Sequence, residues 1–470
     1  MPQQKELQKK ELQQKTFTPE LLSPAGSLKN LRYALAYGAD AVYAGQPRYS
    51  LRVRNNEFDL EKLGIGINEA HALGKKLYVV SNIAPHNAKL KTYLQDLAPV
   101  IDLNPDALIM SDPGLIMMVR EAFPDQPIHL SVQANAVNWA TVKFWQQQGI
   151  SRVILSRELS LDEIEEIRMK VPEMELEVFV HGALCMAYSG RCLLSGYMNK
   201  RDPNQGACTN ACRWQYNAHE AKQDDVGQII ASSDTVIKNQ ESAVQMQEPT
   251  DQLFLLQEHG RPDEYMPAFE DEHGTYIMNS KDLRAIQHVE RLVKMGVHSL
   301  KIEGRTKSFY YCARTAQIYR QAIDDAVAGK SFNNELLGNL ENLANRGYTD
   351  GFLQRHRHVD LQNYETGNSI SEQQQFVGDV IATNDNMLTI EVKNRFSLGD
   401  SLELMTPKGN ITFTLTELND KQGRPIDVAK GSGYVVSIPC PSGVDAEMGV
   451  LLRNLTAGQT TRQPHSKVTL

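Results

Sequence analysis

Three observations predict an α/β protein: a TIM-like closed (β/α)8 barrel with a cysteine-bearing insertion, followed by a small C-terminal β-barrel-like domain. From Glu20 onward, short β-branched runs alternate with amphipathic stretches of helical length, the pattern that produces parallel strands. The alternation reaches eight strands, the number that closes a barrel. After about Gln373 the texture changes to short alternating runs separated by Asn-Asp, Lys-Gly and Asp-Lys turns.

The strands are expected at 20–25, 41–44, 77–81, 107–111, 128–132, 153–156 and 176–180, with an eighth at 299–302. Helical spacing lies between them at 28–37, 90–101, 139–148 and 161–170, and around the eighth strand at 282–295 and 310–328. A doubly wound open sheet is the alternative. The first turn, Ser23-Pro24-Ala25-Gly26-Ser27, lacks the three-glycine dinucleotide fingerprint, which weakens its Rossmann form. Residues 1–16 read as a polar tail and 17–372 as the barrel domain, interrupted by an insertion at 183–276. Within it, 221–261 is rich in Gln, Asp and Ser with little periodicity, and is expected to be a mobile excursion. The small β-domain occupies 373–460, with strands at 375–381, 387–392, 401–405, 411–415 and 434–439, and 461–470 is a tail.

The 470 residues are 41% hydrophobic and 23% charged, with a net charge of -8 and a pI near 5.9. That balance excludes a uniformly basic coat, although a local basic groove can exist within an acidic total. No eighteen-residue apolar stretch occurs and residues 1–15 are mostly Gln, Lys and Glu, so neither secretion nor membrane spanning is expected and the location is expected to be cytoplasmic. Six cysteines are too sparse for a disulfide framework.

Four of the six are crowded together. Cys185, Cys192, Cys208 and Cys212 fall within 28 residues, separated by six, fifteen and three. Four thiolates suit an iron-sulfur cubane or a structural zinc, and only the Cys208/Cys212 pair has the spacing of a zinc knuckle, which favours iron-sulfur. Buried free cysteine is the competing explanation. The surrounding Gly182, Gly190, Gly196, Gly206, Arg191, Lys200 and Arg201 describe a polar loop rather than a core element. Cys312 and Cys440 stand alone and read as structural.

The stretch from Glu177 through Val178, Phe179, Val180, His181, Gly182, Ala183, Leu184 and Cys185 to Gly190, Arg191, Cys192 and Ser195 resembles the signature of the collagenase-like peptidase family U32. Glu20 to Gly26, Tyr49 to Glu57, Asn279 to Leu283 and Lys301 to Arg305 resemble the tRNA-hydroxylating branch of that family, and the similarity runs from about Phe17 to Asn454. The resemblance implies an iron-sulfur enzyme that installs 5-hydroxyuridine at the wobble position of tRNA, with a 4Fe-4S cluster on the four cysteines and prephenate, not molecular oxygen, as the source of the hydroxyl. Other members of the family hydroxylate ribosomal RNA or act in ubiquinone synthesis. The Gln-rich excursion is longer than that branch usually has.

On a closed barrel the functional side chains sit where strands end. The candidates there are Ser81, Asn82, Asp112, Gln133, Asn135, Arg157, Glu158, His181, Lys301, Glu303 and Arg305. Asp112 before Pro113, and Ser160 before Leu161, also read as helix caps. Lys301, Glu303 and Arg305 alternate, so they share one strand face. They are expected to face an anionic substrate at the mouth as catalytic groups, prephenate being a dicarboxylate and tRNA a polyphosphate. An internal ion-pair plug is the competing explanation. Gln133, Asn135, Arg157, Arg52 and Arg54 are candidate substrate-binding groups. His181, four residues before Cys185, is either the base of a Cys-His peptidase pair or a hydrogen-bonded structural histidine. Neither a His-Glu-x-x-His nor a Gly-x-Ser-x-Gly motif is present. A peptidase and a noncatalytic iron-sulfur RNA-binding protein therefore remain as alternatives.

Overall fold

The structure, a computed structural model, describes residues 17–46, 48–50, 56–184, 281–345, 347–354, 374–384 and 386–455, with the backbone of short strands between 221 and 276. Eight parallel strands form the barrel: β1 (Glu20–Pro24), β2 (Ala41–Gly45), β3 (Lys76–Ser81), β4 (Ala107–Met110), β5 (Ile128–Leu130), β6 (Arg152–Ile154), β7 (Glu175–Ala183) and β8 (Ser299–Ile302). Closure is made by β8, whose Ser299 lies opposite Glu20 of β1 on one side and Glu177 of β7 on the other. The barrel strands read as almost unbroken apolar runs because the ring of helices covers their outer side.

Six helices follow the first six strands: α1 (Leu28–Ala36), α2 (Leu60–Ala72), α3 (Asn87–Ile101), α4 (Pro113–Ala122), α5 (Trp139–Gln147) and α6 (Leu161–Lys170). Their starts are set by local chemistry. Ser27, Asp59, Asp112 and Asn138 each accept a hydrogen bond from the backbone N–H three residues on, and Ser160 forms a full capping box with Glu163. Each such cap contributes about 1 kcal/mol. The capping reading of Asp112 and Ser160 is thus correct.

One expectation is corrected. The segment expected to be a helix at 282–295 opens as a short strand, Asp282–Arg284, antiparallel to the last three residues of β7, and the helix α7 covers only Val289–Lys294. Strand β7 outruns β8, so its last backbone groups need another partner, and 282–284 supplies it. Within the insertion, Ala221–Gln223 pairs with Ile229–Ala231, and Gln252–Gln257 joins Tyr265–Asp271 and Gly274–Tyr276 in a three-stranded sheet. After β8 comes the long helix α8 (Phe309–Val327), capped by Ser308.

The C-terminal domain is a seven-stranded antiparallel sheet. Its main strands are β9 (Gln374–Asn384), β10 (Met387–Val392), β11 (Ser401–Thr406), β12 (Gly409–Thr414), β13 (Val435–Pro439) and β14 (Val450–Asn454), with Asn419–Asp420 at one edge. Leu388, Ile390 and Val392 alternate inward along β10 into a core with Phe396, Leu402 and Leu451. Each fully buried side chain of that size contributes about 1.5–3 kcal/mol.

This domain is docked on α1 and α8. Met405, Val450 and Leu452 belong to the same apolar core as the barrel. Arg314, buried on α8, reaches Glu403 Oε1 at 2.9 Å and Gln374 Oε1 at 3.1 Å. The Tyr37 hydroxyl lies 2.9 Å from the carbonyl oxygens of both Met405 and Met448.

Candidate active site at the barrel mouth

The barrel interior divides into a charged base and a polar mouth. At the base, Arg152 Nη1 of β6 lies 2.6 Å from Glu20 Oε1 of β1 and 3.3 Å from Glu177 Oε2 of β7. Lys301 of β8 completes the network, its Nζ 2.7 Å from Glu177 Oε1 and 4.4 Å from the centroid of the Tyr43 ring. The Tyr78 hydroxyl donates to Glu20 at 2.7 Å. Burial alone would raise the Glu20 carboxyl, but the Arg152 guanidinium beside it, with the Tyr78 hydroxyl, carries its pKa down instead. Burial lowers the Lys301 ammonium, with Glu177 opposing.

The expectation that Lys301 stands at the mouth is therefore corrected. Its side chain is buried below the rim and committed to Glu177. The alternation assumed a strand running through Arg305, but the strand ends at Ile302, and Glu303 and Arg305 follow it in the loop.

At the mouth, Arg157 Nη2 lies 3.0 Å from Glu303 Oε2, while the guanidinium carbon sits 3.9 Å from the centroid of the Phe179 ring. Arg305 donates to Ser50 Oγ at 2.6 Å, and its guanidinium carbon is 5.9 Å from the Tyr43 centroid. Gly45 makes this possible. A Cβ there would collide with Arg305 Nη1 and stand 2.5 Å from Ser50 Oγ. A second close approach occurs at Gly182, φ +108, where a Cβ would lie 2.5 Å from the Glu303 carbonyl oxygen. It brings the end of β7 against the loop that carries Glu303 and Arg305.

Gln133 and Asn135 belong to an amide cluster at the ends of β3 and β5. Gln133 Nε2 donates to the Asn82 carbonyl at 2.9 Å, and its Oε1 accepts from Ser131 Oγ at 2.8 Å and from the Asn82 amide. Asn135, in the left-handed region at φ 52, donates to the Gln133 carbonyl at 2.7 Å. Glu158 accepts from Ser156 Oγ.

His181 is enclosed by the rings of Tyr311, Tyr319 and Tyr348, with centroids 5.8, 5.6 and 5.5 Å away. Burial pushes its pKa down to about 3, with Asp282 opposing. It is a neutral imidazole at physiological pH.

Cys185, Cys192, Cys208, Cys212, Arg52 and Arg54 lie outside the described residues. The described chain stops at Leu184, one residue after β7 ends at the mouth. Among the described residues no group of three His, Cys, Asp or Glu side chains could hold a metal ion. Cys312 is buried, and burial pushes its thiol up to about 12, consistent with a structural role. Sequence reasoning missed Ser50, Tyr43, Phe179 and Gly45, which seat the two arginines. Gly45, at the end of an apolar strand, was the available signal for a close approach.

Fold and mouth together define a (β/α)8-barrel protein whose rim presents seated guanidinium groups and amides suited to an oxygen-rich, anionic ligand. The chain belongs to peptidase family U32: residues 26–363 match the model of that family, and residues 372–453 match that of the peptidase family U32 C-terminal domain. It is 69% identical over 453 residues to the tRNA hydroxylation protein P of Escherichia coli, covering 96% of this chain and 100% of that one. The protein of the same name from Haemophilus influenzae is 64% identical over 456 residues, covering 96% and 99%. A 23S rRNA 5-hydroxycytidine synthase of Escherichia coli is 27% identical over 403 residues, covering 84% of this chain and 53% of that one. No described helix is long and apolar enough to cross a membrane.

Proposed function

We propose that this chain is a cytoplasmic tRNA-modifying enzyme that hydroxylates the wobble uridine to 5-hydroxyuridine, with prephenate and not molecular oxygen as hydroxyl source. In this reading Cys185, Cys192, Cys208 and Cys212 hold a 4Fe-4S cluster. The observation that carries the reading is similarity over essentially the whole chain to tRNA hydroxylation protein P. Similarity to an rRNA 5-hydroxycytidine synthase supports the same chemistry on a pyrimidine.

The donor set fits the cluster in kind: four thiols in a segment that the chain enters directly from β7 at the mouth. Such a cluster, when bound, supplies one-electron redox chemistry. The chain's own residues do the binding and orienting. Arg305, fixed by Ser50 over Gly45, offers a planar donor fork to a carboxylate or phosphate. Arg157 is aimed by Glu303 and lies over the Phe179 ring, so its geometry is set before substrate arrives. The Asn82–Gln133 amides provide donors and acceptors of the kind that read a pyrimidine edge.

A Cys-His peptidase would need His181 as proton acceptor, and an imidazole with its pKa near 3 is a weak base at neutral pH. Mass spectrometry of tRNA nucleosides from a deletion strain tests the reading: nucleosides derived from 5-hydroxyuridine should vanish and return with the wild-type chain. Unchanged nucleosides would contradict it. Iron and sulfide should be present in anaerobically prepared protein, reduced by Ala at any of the four cysteines and unaffected by Cys312→Ala or Cys440→Ala. Stoichiometric zinc without iron would overturn the cluster.

A further inference from the structure

Strand β8 leaves the barrel ladder just below the mouth. Its register with β7 slips after Lys301, which lies opposite Phe179, whereas Ile302 lies opposite His181. The Glu303 N–H still finds a partner on β7, donating to the His181 carbonyl at 2.8 Å. The Glu303 carbonyl is taken by a side chain instead: the Tyr311 hydroxyl donates to it at 2.7 Å. Tyr311 belongs to the first turn of α8, and its own N–H donates to the capping Ser308 Oγ at 3.3 Å. Two positions without side chains let the phenol reach its acceptor. A Cβ at Gly304, φ +149, would stand 2.6 Å from Tyr311 Cε1, and one at Gly182 would stand 3.0 Å from the hydroxyl oxygen. Burial raises the phenol well above its usual range, so it stays protonated and donates at physiological pH.

With its N–H and carbonyl both held, the Glu303 backbone is pinned on either side of its Cα, and this fixes the direction in which the carboxylate leaves it. That carboxylate meets Arg157 Nη2 at 3.0 Å, and the guanidinium lies over the Phe179 ring of β7. Tyr311, Glu303 and Arg157 thus form a chain of contacts that starts on α8 and ends in the mouth. A second buried tyrosine of the same helix supplies the comparison. Tyr319 also donates to a backbone carbonyl at 2.7 Å, that of Val180 in β7, and its hydroxyl lies 3.4 Å from His181 Nδ1. The Val180 carbonyl accepts from the Ala285 N–H at 2.8 Å as well, so it keeps a donor without the tyrosine.

We propose that Tyr311 is a positioning residue of the active site: its hydroxyl, acting through the Glu303 peptide, sets the aim of the Glu303–Arg157 pair at the mouth. The proposal rests on the tRNA-hydroxylation reading above. A core tyrosine whose one task is to satisfy a carbonyl would act on stability alone, and loss of its hydroxyl would move melting without moving turnover. A tyrosine that aims a substrate-binding pair acts on turnover too, because a small misplacement of such groups is costly in rate.

The test is the initial rate at which 5-hydroxyuridine-derived nucleosides reappear in tRNA after a variant of the full chain is induced in a deletion strain, divided by the amount of soluble chain in the same cells. Melting temperatures are measured on the purified variants. Tyr311→Phe should lower the rate roughly fivefold to tenfold. Tyr319→Phe, which also loses a phenol-to-carbonyl hydrogen bond on α8, should lower the melting temperature by a similar amount and hydroxylate at the wild-type rate. Because Tyr311 acts through Glu303, Tyr311→Phe combined with Glu303→Gln should be no slower than Glu303→Gln alone, whereas independent sites would multiply their losses. If Glu303→Gln alone falls below detection, the comparison of Tyr311→Phe with Tyr319→Phe decides. A wild-type rate in Tyr311→Phe, an equal loss in Tyr319→Phe, or multiplied losses in the double variant would overturn the positioning role and leave the hydroxylation reading intact. Absence of these nucleosides with the wild-type chain would overturn that reading, and the proposal with it.

Discussion

The base and the mouth of the barrel use the same residue types to opposite ends. At the base, Glu20, Arg152, Glu177 and Lys301 satisfy one another, and Glu177 is fully buried. At the mouth, the Arg157–Glu303 pair keeps partial exposure, with 11% and 23% of the two side chains accessible. Lys301 and Arg305 are four residues apart on one segment, yet the first is part of a plug and the second is a candidate ligand for substrate. Depth in the barrel, not residue identity, separates them. A closed charge network contributes little net stability compared with apolar packing, but breaking it is costly, because the remaining charges are left buried without compensation.

The largest expected effect therefore falls at the base. Glu177→Ala strands Lys301 and one side of Arg152, and should cost about 3–5 kcal/mol in urea denaturation. If that variant unfolds with wild-type stability but loses tRNA hydroxylation, base and mouth have been assigned the wrong way round. Gly182→Ala, at the join between β7 and the mouth, meets both a positive φ and the Glu303 carbonyl. A loss of about 1–3 kcal/mol is expected in the same assay.

His181 sharpens the comparison through pH. Its folded pKa of about 3 lies below the unfolded value of 6.5, so the unfolded state binds the extra proton. The contribution is nil above about pH 6.5, and stability is lost as pH falls from there toward 3, by at most about 1.4 kcal/mol per pH unit. His181→Phe should remove that part of the slope in denaturation curves between pH 6 and 4. An unchanged slope would mean that the imidazole is protonated in the fold. Gly45→Ala must displace both Arg305 and the buried Ser50, and is expected to cost about 1–3 kcal/mol. Hydroxylation should also fall roughly tenfold, since about 1.4 kcal/mol of lost substrate stabilisation suffices. Undiminished hydroxylation would show that the seat of Arg305 is irrelevant.

Much of the scaffold was legible. Strands buried on both faces appear as apolar runs, and caps such as Asp112 and Ser160 depend on residues three apart. The plug was only partly legible, because its partners are far apart in sequence: Arg152 and Glu20 are separated by 132 residues. The strand at 282–284 was hidden because Leu283, Ile286, Val289 and Leu292 have helical spacing, whereas pairing is decided by the unfilled edge of β7. Of the seat of Arg305 only the close approach at Gly45 was signalled, for a related reason. Ser50 and Gly45 meet it only after the barrel closes. The four cysteines were legible as a constellation, and their role continues to rest on chemistry and resemblance.

The most direct measurement is nucleoside mass spectrometry of tRNA from cells whose only copy carries Arg305→Ala, paired with the melting temperature of the purified variant. The account predicts at least a tenfold fall in 5-hydroxyuridine-derived nucleosides with melting within a few degrees of wild type. Full hydroxylation, or a loss that tracks early melting and is matched by Lys301→Met, would contradict it.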